Sequence, residues 1–202
     1  MTAATHLSHR RAHTESPILD VLADRWSPRS FDATATVSID SVRSALEAAR
    51  WSPSASNSQP WRFVLVQRGT TDFERVTSHL MGFNRDWAGS ASFLLVALAE
   101  LSSSEGREQP WARYDLGQAV AHLSVQAHAD GLHVHQMGGF DAEALRREFG
   151  WDVRFVAVSV SAIGILASPD QLPEKLRERE HAPRSRKPLD ELVVVGTELL
   201  AS

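Results

Sequence analysis

Residues 52–61 read Ser52-Pro53-Ser54-Ala55-Ser56-Asn57-Ser58-Gln59-Pro60-Trp61. Before them, Ser38 to Trp51 is a helical stretch that places Ile39, Val42, Ala45, Leu46 and Ala49 on one face behind a Ser38 cap. After them, Arg62 to Gln67 carries the short apolar run Phe63-Val64-Leu65-Val66, suited to a strand buried on both faces. The ten residues are therefore a helix-to-strand connection. Their serine, asparagine and glutamine side chains offer both donors and acceptors, and Pro53 and Pro60 stiffen the loop that presents them. Such a loop suits the edge of a heterocycle with alternating N–H and C=O groups. The same composition also suits an ordinary Ser/Asn/Pro turn.

Working outward, Ser16-Pro17 reads as an N-cap and first helical position, with Ile18, Val21, Leu22 and Trp26 as a stripe that Pro28 ends. Downstream, Gly69-Thr70 closes the strand. Thr71-Asp72-Phe73-Glu74 has the capping-box pattern, and Phe73, Val76 and Leu80 give the next helix its buried side. Trp87 reads either as a packed indole or as a cover for a ligand. Ala91 to Ala99 is a central strand. Ser102 to Gln109 is a polar loop, and Pro110 to Gly131 is the longest helix, with Leu116, Ala119, Val120, Leu123 and Ala127 on one face. Asp141 caps a helix whose stripe is Leu145 and Phe149. Phe155 to Leu166 is a strand, a charged helix surrounds Glu174 to Glu180, and Asp190 to Leu200 forms a final strand or arm.

Composition bounds the function. The 202 residues are 43% hydrophobic, enough for one domain with a sizeable core, expected over 16–202 behind a flexible leader at 1–15. No cysteine is present, which excludes disulfides, thiolate metal sites and cysteine nucleophiles and fits a cytoplasmic protein. Lys plus Arg 21 against Asp plus Glu 25 gives a net charge of −4, which argues against a broad nucleic-acid or anionic-membrane surface. No apolar run approaches a membrane span, and the first fifteen residues lack the apolar centre of a signal peptide. His133 and His135 share a face of a strand, but no HExxH and no carboxylate at ligand spacing accompanies them, so no metal is expected. GxGxxG, GxxxxGK[ST] and GxSxG are absent, which argues against a dedicated dinucleotide domain.

Three further segments carry candidate chemistry. Arg25-Trp26-Ser27-Pro28-Arg29 puts two guanidinium forks and a hydroxyl within five residues, able to grip one anion or to lie solvated at a helix end. Gln136-Met137-Gly138-Gly139-Phe140-Asp141 lets the backbone approach a flat ring, or simply turns into a helix. Arg184-Ser185-Arg186-Lys187-Pro188-Leu189 adds a basic pair. Taken in order with Ala48-Ala49, Pro53-Ser54, Asn57 and Gln59-Pro60-Trp61, these segments resemble the nitroreductase family of flavin enzymes over roughly residues 17–195.

That resemblance implies an α+β fold, with a central, mostly antiparallel sheet flanked by helices and a C-terminal strand exchanged within a homodimer. It implies FMN at the dimer interface, contacted by Arg25, Trp26, Ser27, Arg29, Pro53, Ser54, Asn57, Gln59, Met137, Gly138, Gly139, Arg184 and Arg186. By position, the main-chain N–H of Gly138 would meet the flavin N5. Many relatives have proline and a bulkier residue near Gln136 and Gly138, so this pocket floor is expected to be more open. The longest helix would be central to the dimer interface. The implied activity is hydride transfer from NADH or NADPH and reduction of nitroaromatic, quinone or similar acceptors in ping-pong order, with no obligatory catalytic side chain because the cofactor supplies the chemistry. The same resemblance also admits flavin-consuming oxygenases and reductive dehalogenases. From another class, a flavin-sequestering protein without turnover is the alternative.

Overall fold

The computed structural model describes residues 10–200. Four strands pair antiparallel throughout in the order β1-β2-β4-β3, where β1 is Trp61–Gln67, β2 Phe93–Glu100, β3 His133–Met137 and β4 Phe155–Gly164. Every residue of β2 is buried, so both faces of the sheet need cover. Phe93, Leu95, Ala97 and Ala99 meet α2 (Ile39–Arg50) and α5 (Ala112–Ala129) through Val42, Ala45, Ala49, Leu116, Ala119, Val120, Leu123 and Ala127. Leu94, Val96 and Leu98 face α3 (Thr71–Ser78), α4 (Gly82–Ala88), α6 (Ala142–Phe149) and α7 (Glu174–His181) through Phe73, Val76, Trp87, Leu145 and Leu176. The period-two alternation along β2 is thus apolar on both sides. A register shift where Ala97 and Leu98 meet β4 leaves Val158 unpaired, a β-bulge. The expected α+β architecture is the observed one.

Caps define the helix starts. Ser38 Oγ accepts the Asp40 N–H at 3.2 Å, and Asp141 Oδ1 accepts the Ala144 N–H at 2.9 Å. The third helix is capped one residue earlier than expected: Thr70, not Thr71, takes the Phe73 N–H at 3.3 Å. β1 is an edge strand whose centre is half-buried, so the expectation of burial on both faces is corrected.

Both ends of the chain differ from the sequence reading. The first helix, α1, runs only from Asp20 to Asp24, with Leu19 rather than Ser16 in the capping position, and Ile18 and Leu22 are exposed. Of the expected leader, residues 1–9 lie outside the described residues. Ala12 donates its N–H to Ala23 O at 2.9 Å, while Arg11 pairs with Asp20 and Asp24. The expected C-terminal strand is absent from the single chain. Leu189–Leu192 forms a short helix, α8, and Thr197–Leu200 a 3-10 turn, with Val194 and Val195 92% and 89% exposed between them. β-branched residues favour a strand, but strand backbone also needs a neighbour for its N–H and C=O groups, and none of the four strands supplies one. No helix among the described residues is long and apolar enough to cross a membrane.

The end of β4 is packed to contact. A Cβ on Gly164 would lie 3.0 Å from Phe31 Cδ1 and 3.2 Å from the Ser92 main-chain nitrogen, whereas one on Gly138 would meet nothing within 4 Å. We expect Gly164→Ala to cost about 1–3 kcal/mol in urea denaturation through overpacking. Gly138→Ala should stay within about 0.5 kcal/mol of the wild type. Equal stabilities for the two variants would contradict this packing.

Candidate functional site

The loop between α2 and β1 is held from α5. Asp115, a buried carboxylate, accepts the Ala55 N–H at 3.1 Å, and Ser52 Oγ lies 2.8 Å from His122 Nδ1. Between these anchors and β1, Ser56, Asn57 and Gln59 adopt φ values of 52°, 55° and 48°. They are the only non-glycine residues at positive φ among those described, and each such backbone costs on the order of 1–3 kcal/mol. The loop is kept there by its own bonds: Ser54 Oγ takes the Gln59 N–H at 3.1 Å, and Gln59 Nε2 donates to Asn57 O at 3.1 Å. Pro53, Asn57 and Gln59 face solvent and Ser54 is half-buried. A groove of about 340 Å³ runs beside the loop, lined by Pro53, Ser54, Ala55, Trp111, Tyr114 and Gln118, together with Asp115.

A second group gathers the arginines. Arg25 follows α1, and among the described residues nothing accepts from its guanidinium. Burial and the neighbouring Arg186 both lower its pKa, burial more. Arg186 is exposed, its one hydrogen bond going to Ser185 O at 2.7 Å. Two like charges that act on one another, neither ion-paired among the described residues, would favour an anion. The other arginines are committed. Arg184 donates to Ala23 O at 2.8 Å, to Arg25 O at 3.0 Å and to Arg10 O, so its fork ties three stretches of backbone together. Arg29 sits 3.6 Å from the carboxylate of Glu180. Trp26 packs in the interior with the Arg10 guanidinium 4.3 Å from its ring centre, and Ser27 is exposed.

Glu180 escaped the sequence reading, which noted its helix only as charged. It is 0% exposed. Its Oε1 accepts the Arg29 N–H at 2.8 Å and the Ser30 N–H at 3.4 Å. A signal existed: Leu172, Leu176 and Glu180 recur every fourth residue, and all three are buried.

The third group is the turn after β3. Met137 is buried in the core, while Gly138 is exposed with open space where a side chain would stand. Gly139 is needed for packing: its C=O accepts from Met81 N–H at 3.0 Å and Asn84 Nδ2 at 3.1 Å, and a Cβ would fall 2.8 Å from Asn84 Nδ2. Trp87 is an interior indole, stacked on Phe31 and 4.5 Å from the His135 ring. His135 Nδ1 in turn bonds Pro28 O at 2.8 Å, fixing the turn between Ser27 and Arg29. No group of three or more His, Asp or Glu able to hold a metal ion occurs among the described residues. Neither hydrogen bonds nor ion pairs join the central loop to the arginine group among the described residues.

The model of the Nitroreductase family matches residues 22–84 and 70–165. The chain belongs to the nitroreductase family. A solved relative described as an oxidoreductase containing FMN is 36% identical, with a TM-score of 0.86 over 91% of this chain and 94% of its own. YdgI of Bacillus subtilis (strain 168), provisionally named an NAD(P)H nitroreductase, is 22% identical over 183 residues, 72% of this chain and 87% of YdgI. An oxygen-insensitive NADPH nitroreductase of Helicobacter acinonychis (strain Sheeba) is 38% identical over 76 residues, 38% of this chain and 35% of that protein. Within this nitroreductase-family chain, all four sequence segments lie at or beside element ends.

One buried group beside this site gives acid sensitivity. Neither ring nitrogen of His133 has a hydrogen-bond partner, and its neighbour, at 5.2 Å between ring centres, is His128. Burial, with His128 adding, pushes His133 down to about 4 from 6.5. The unfolded chain therefore binds a proton that the folded chain excludes. The stability this group contributes is complete above pH 6.5 and is lost as pH falls towards 4, on the order of 3 kcal/mol in all. We expect His133→Leu to remove that share of the decline when urea stability is compared at pH 7.5, 6 and 5. An unchanged pH slope would place the sensitivity elsewhere.

Proposed function

We propose that the chain is an FMN-dependent oxidoreductase, a homodimer that takes a hydride from NADH or NADPH and reduces nitroaromatic, quinone or similar acceptors. The observation that carries this reading is the pair Arg25 and Arg186, two guanidinium groups close enough for the charge of one to act on the other, neither of them ion-paired to a carboxylate among the described residues. The donor set fits FMN: a dianion for the arginines, a polar ring edge for the loop, and a flat face for the open backbone at Gly138. Relatives named for FMN and for NAD(P)H support it from outside the chain.

Arg25, Arg186 and Ser27 would hold the phosphate and ribityl chain, with Arg29 presenting its charge from the same segment. Arg184 serves by fixing the backbone around Arg25 rather than by its own fork, and Trp26 by anchoring the segment in the interior. Pro53, Ser54, Asn57 and Gln59 would meet the ring edge, in a loop shaped by the left-handed backbone at Ser56, Asn57 and Gln59. The Gly138 N–H would face N5, with Met137 and Gly139 holding that turn against the core. Bound FMN would supply the two-electron chemistry, and the chain orients it and excludes water. Donor and acceptor would occupy one pocket in turn, giving ping-pong kinetics.

A second copy completes the reading. The central loop and the arginine group lie apart in the bonding of one chain, which suits a site that two chains share. Trp111, Tyr114, Gly117 and Ala121 leave one side of α5 exposed, β1 is an open sheet edge, and the tail exposes Leu192, Val194, Val195 and Leu199. A partner's tail adding to a sheet edge would cover both. Sedimentation of the wild type should give a dimer, and a stable flavin-loaded monomer would overturn this part.

The purified protein should be yellow, with one FMN per subunit, and anaerobic NADPH should bleach it. Arg25→Ala should weaken FMN roughly ten- to a hundredfold while moving riboflavin far less, because a charge-assisted contact is worth about 1.5–3 kcal/mol and only FMN carries the dianion. A colourless protein that refuses added FMN would sink the reading. Equal losses for both flavins would remove Arg25 from the phosphate.

A further inference from the structure

Glu180 is a carboxylate with no route to water, although its helix is otherwise among the most charged in the chain. A buried carboxylate is costly unless its oxygens are satisfied. Here Oε1 is satisfied by the Arg29 and Ser30 N–H groups, but Oε2 has no hydrogen-bond donor and faces Arg29 Nη1 at 3.6 Å. The guanidinium is incompletely met as well: Arg29 Nε is buried without an acceptor. A leucine would continue the Leu172–Leu176 stripe at lower cost, so packing alone does not account for a carboxylate at this position. What the carboxylate adds is a fixed peptide at Arg29–Ser30 and a counter-charge within a group of five guanidinium side chains. Burial pushes the Glu180 carboxyl up, the Arg29 and Ser30 N–H groups and the charges of Arg29 and Arg10 work to keep it ionised, and the charges of Arg25, Arg186 and Arg10 act on Arg184.

We propose that Glu180 is the positioning residue for Arg29: its carboxylate accepts the main-chain N–H of that residue and faces its guanidinium at 3.6 Å, and so sets how much positive charge reaches the bound flavin. The proposal rests on the FMN reading above and concerns a residue outside all four sequence segments. Its physical basis is that two-electron reduction adds negative charge to the flavin ring. A cation held nearby favours the reduced form, and a carboxylate paired to that cation tempers it. Removing the negative charge while keeping an acceptor oxygen should therefore raise the midpoint potential.

The test uses FMN-loaded full-length protein, read by spectroelectrochemical titration and by FMN dissociation. E180Q keeps an acceptor for the Arg29 N–H and removes the charge, so its midpoint potential should move upward while FMN affinity stays within about threefold of the wild type. E180A also removes the acceptor, and its FMN dissociation constant should rise about tenfold, the lower end for losing a hydrogen bond to a charged group. The deciding comparison is a double-mutant cycle with R29Q, in which the upward shift of E180Q should largely disappear once Arg29 has lost its charge. Should E180A fail to fold, E180Q and the cycle still decide. A potential in E180Q equal to that of the wild type would overturn the proposal, as would the same upward shift with and without Arg29, which would make Glu180 a bare charge. Wild-type protein that binds no FMN would overturn the cofactor reading itself, a result distinct from either of these.

Discussion

The structure depends on β2. Eight consecutive buried residues leave the sheet no solvent face at its centre, so helices must cover both sides, and each covering helix needs an apolar stripe of its own. α5 meets that need on one side with small residues, Ala112, Ala119 and Ala127, set among Leu116, Val120 and Leu123, which lets it lie close against the strands. On the other side the cover is assembled from shorter helices and from Trp87 and Phe31. The candidate site follows from this layering: its loops emerge where helices of one layer hand the chain to strands of the sheet.

Main-chain groups hold the site together more than side-chain pairs do. Arg184 bonds three carbonyls, Glu180 two amides, Asp115 one amide in the strained loop, and Asn84 one carbonyl of the glycine turn. A charged side chain spent on backbone fixes the course of a loop without consuming the outward-facing groups of that loop. Ser27, Asn57 and Gly138 remain exposed, and Arg25 has no acceptor for its guanidinium among the described residues. Nitroreductase-family chemistry, in which the cofactor supplies the reaction, asks the protein for this kind of held backbone rather than for an acid or a base.

The exposed apolar residues follow a pattern as well. Ile18, Leu19 and Leu22 near α1, Trp111 and Tyr114 at the start of α5, and Leu192, Val194, Val195 and Leu199 in the tail lie at the margins of the single-chain core. The tail has the residues of a strand, and none of the four strands among the described residues pairs with it.

The sequence by itself determined the elements whose cause is local. Ser38 and Asp141 start their helices because a short side-chain oxygen reaches the orphan N–H two or three residues on. The stripe of α5 and the apolar run of β2 could be read from their periods, and the four segments that resemble the family are the basis of the proposed site. Tertiary structure alone decided what each face meets. Glu180 lies 151 residues from Arg29, and nothing around it in the chain announces the amides that accept its burial. Arg184 looked like a phosphate ligand and instead bonds Ala23 O and Arg25 O, carbonyls some 160 residues earlier. Ile18 and Leu22 carry a buried pattern without being buried, and Val193 to Val195 carry a strand pattern without a strand. Periodicity encodes which side of an element is apolar. The partner of that side is set by contacts distant in sequence, where the free energy of burial is gained or withheld.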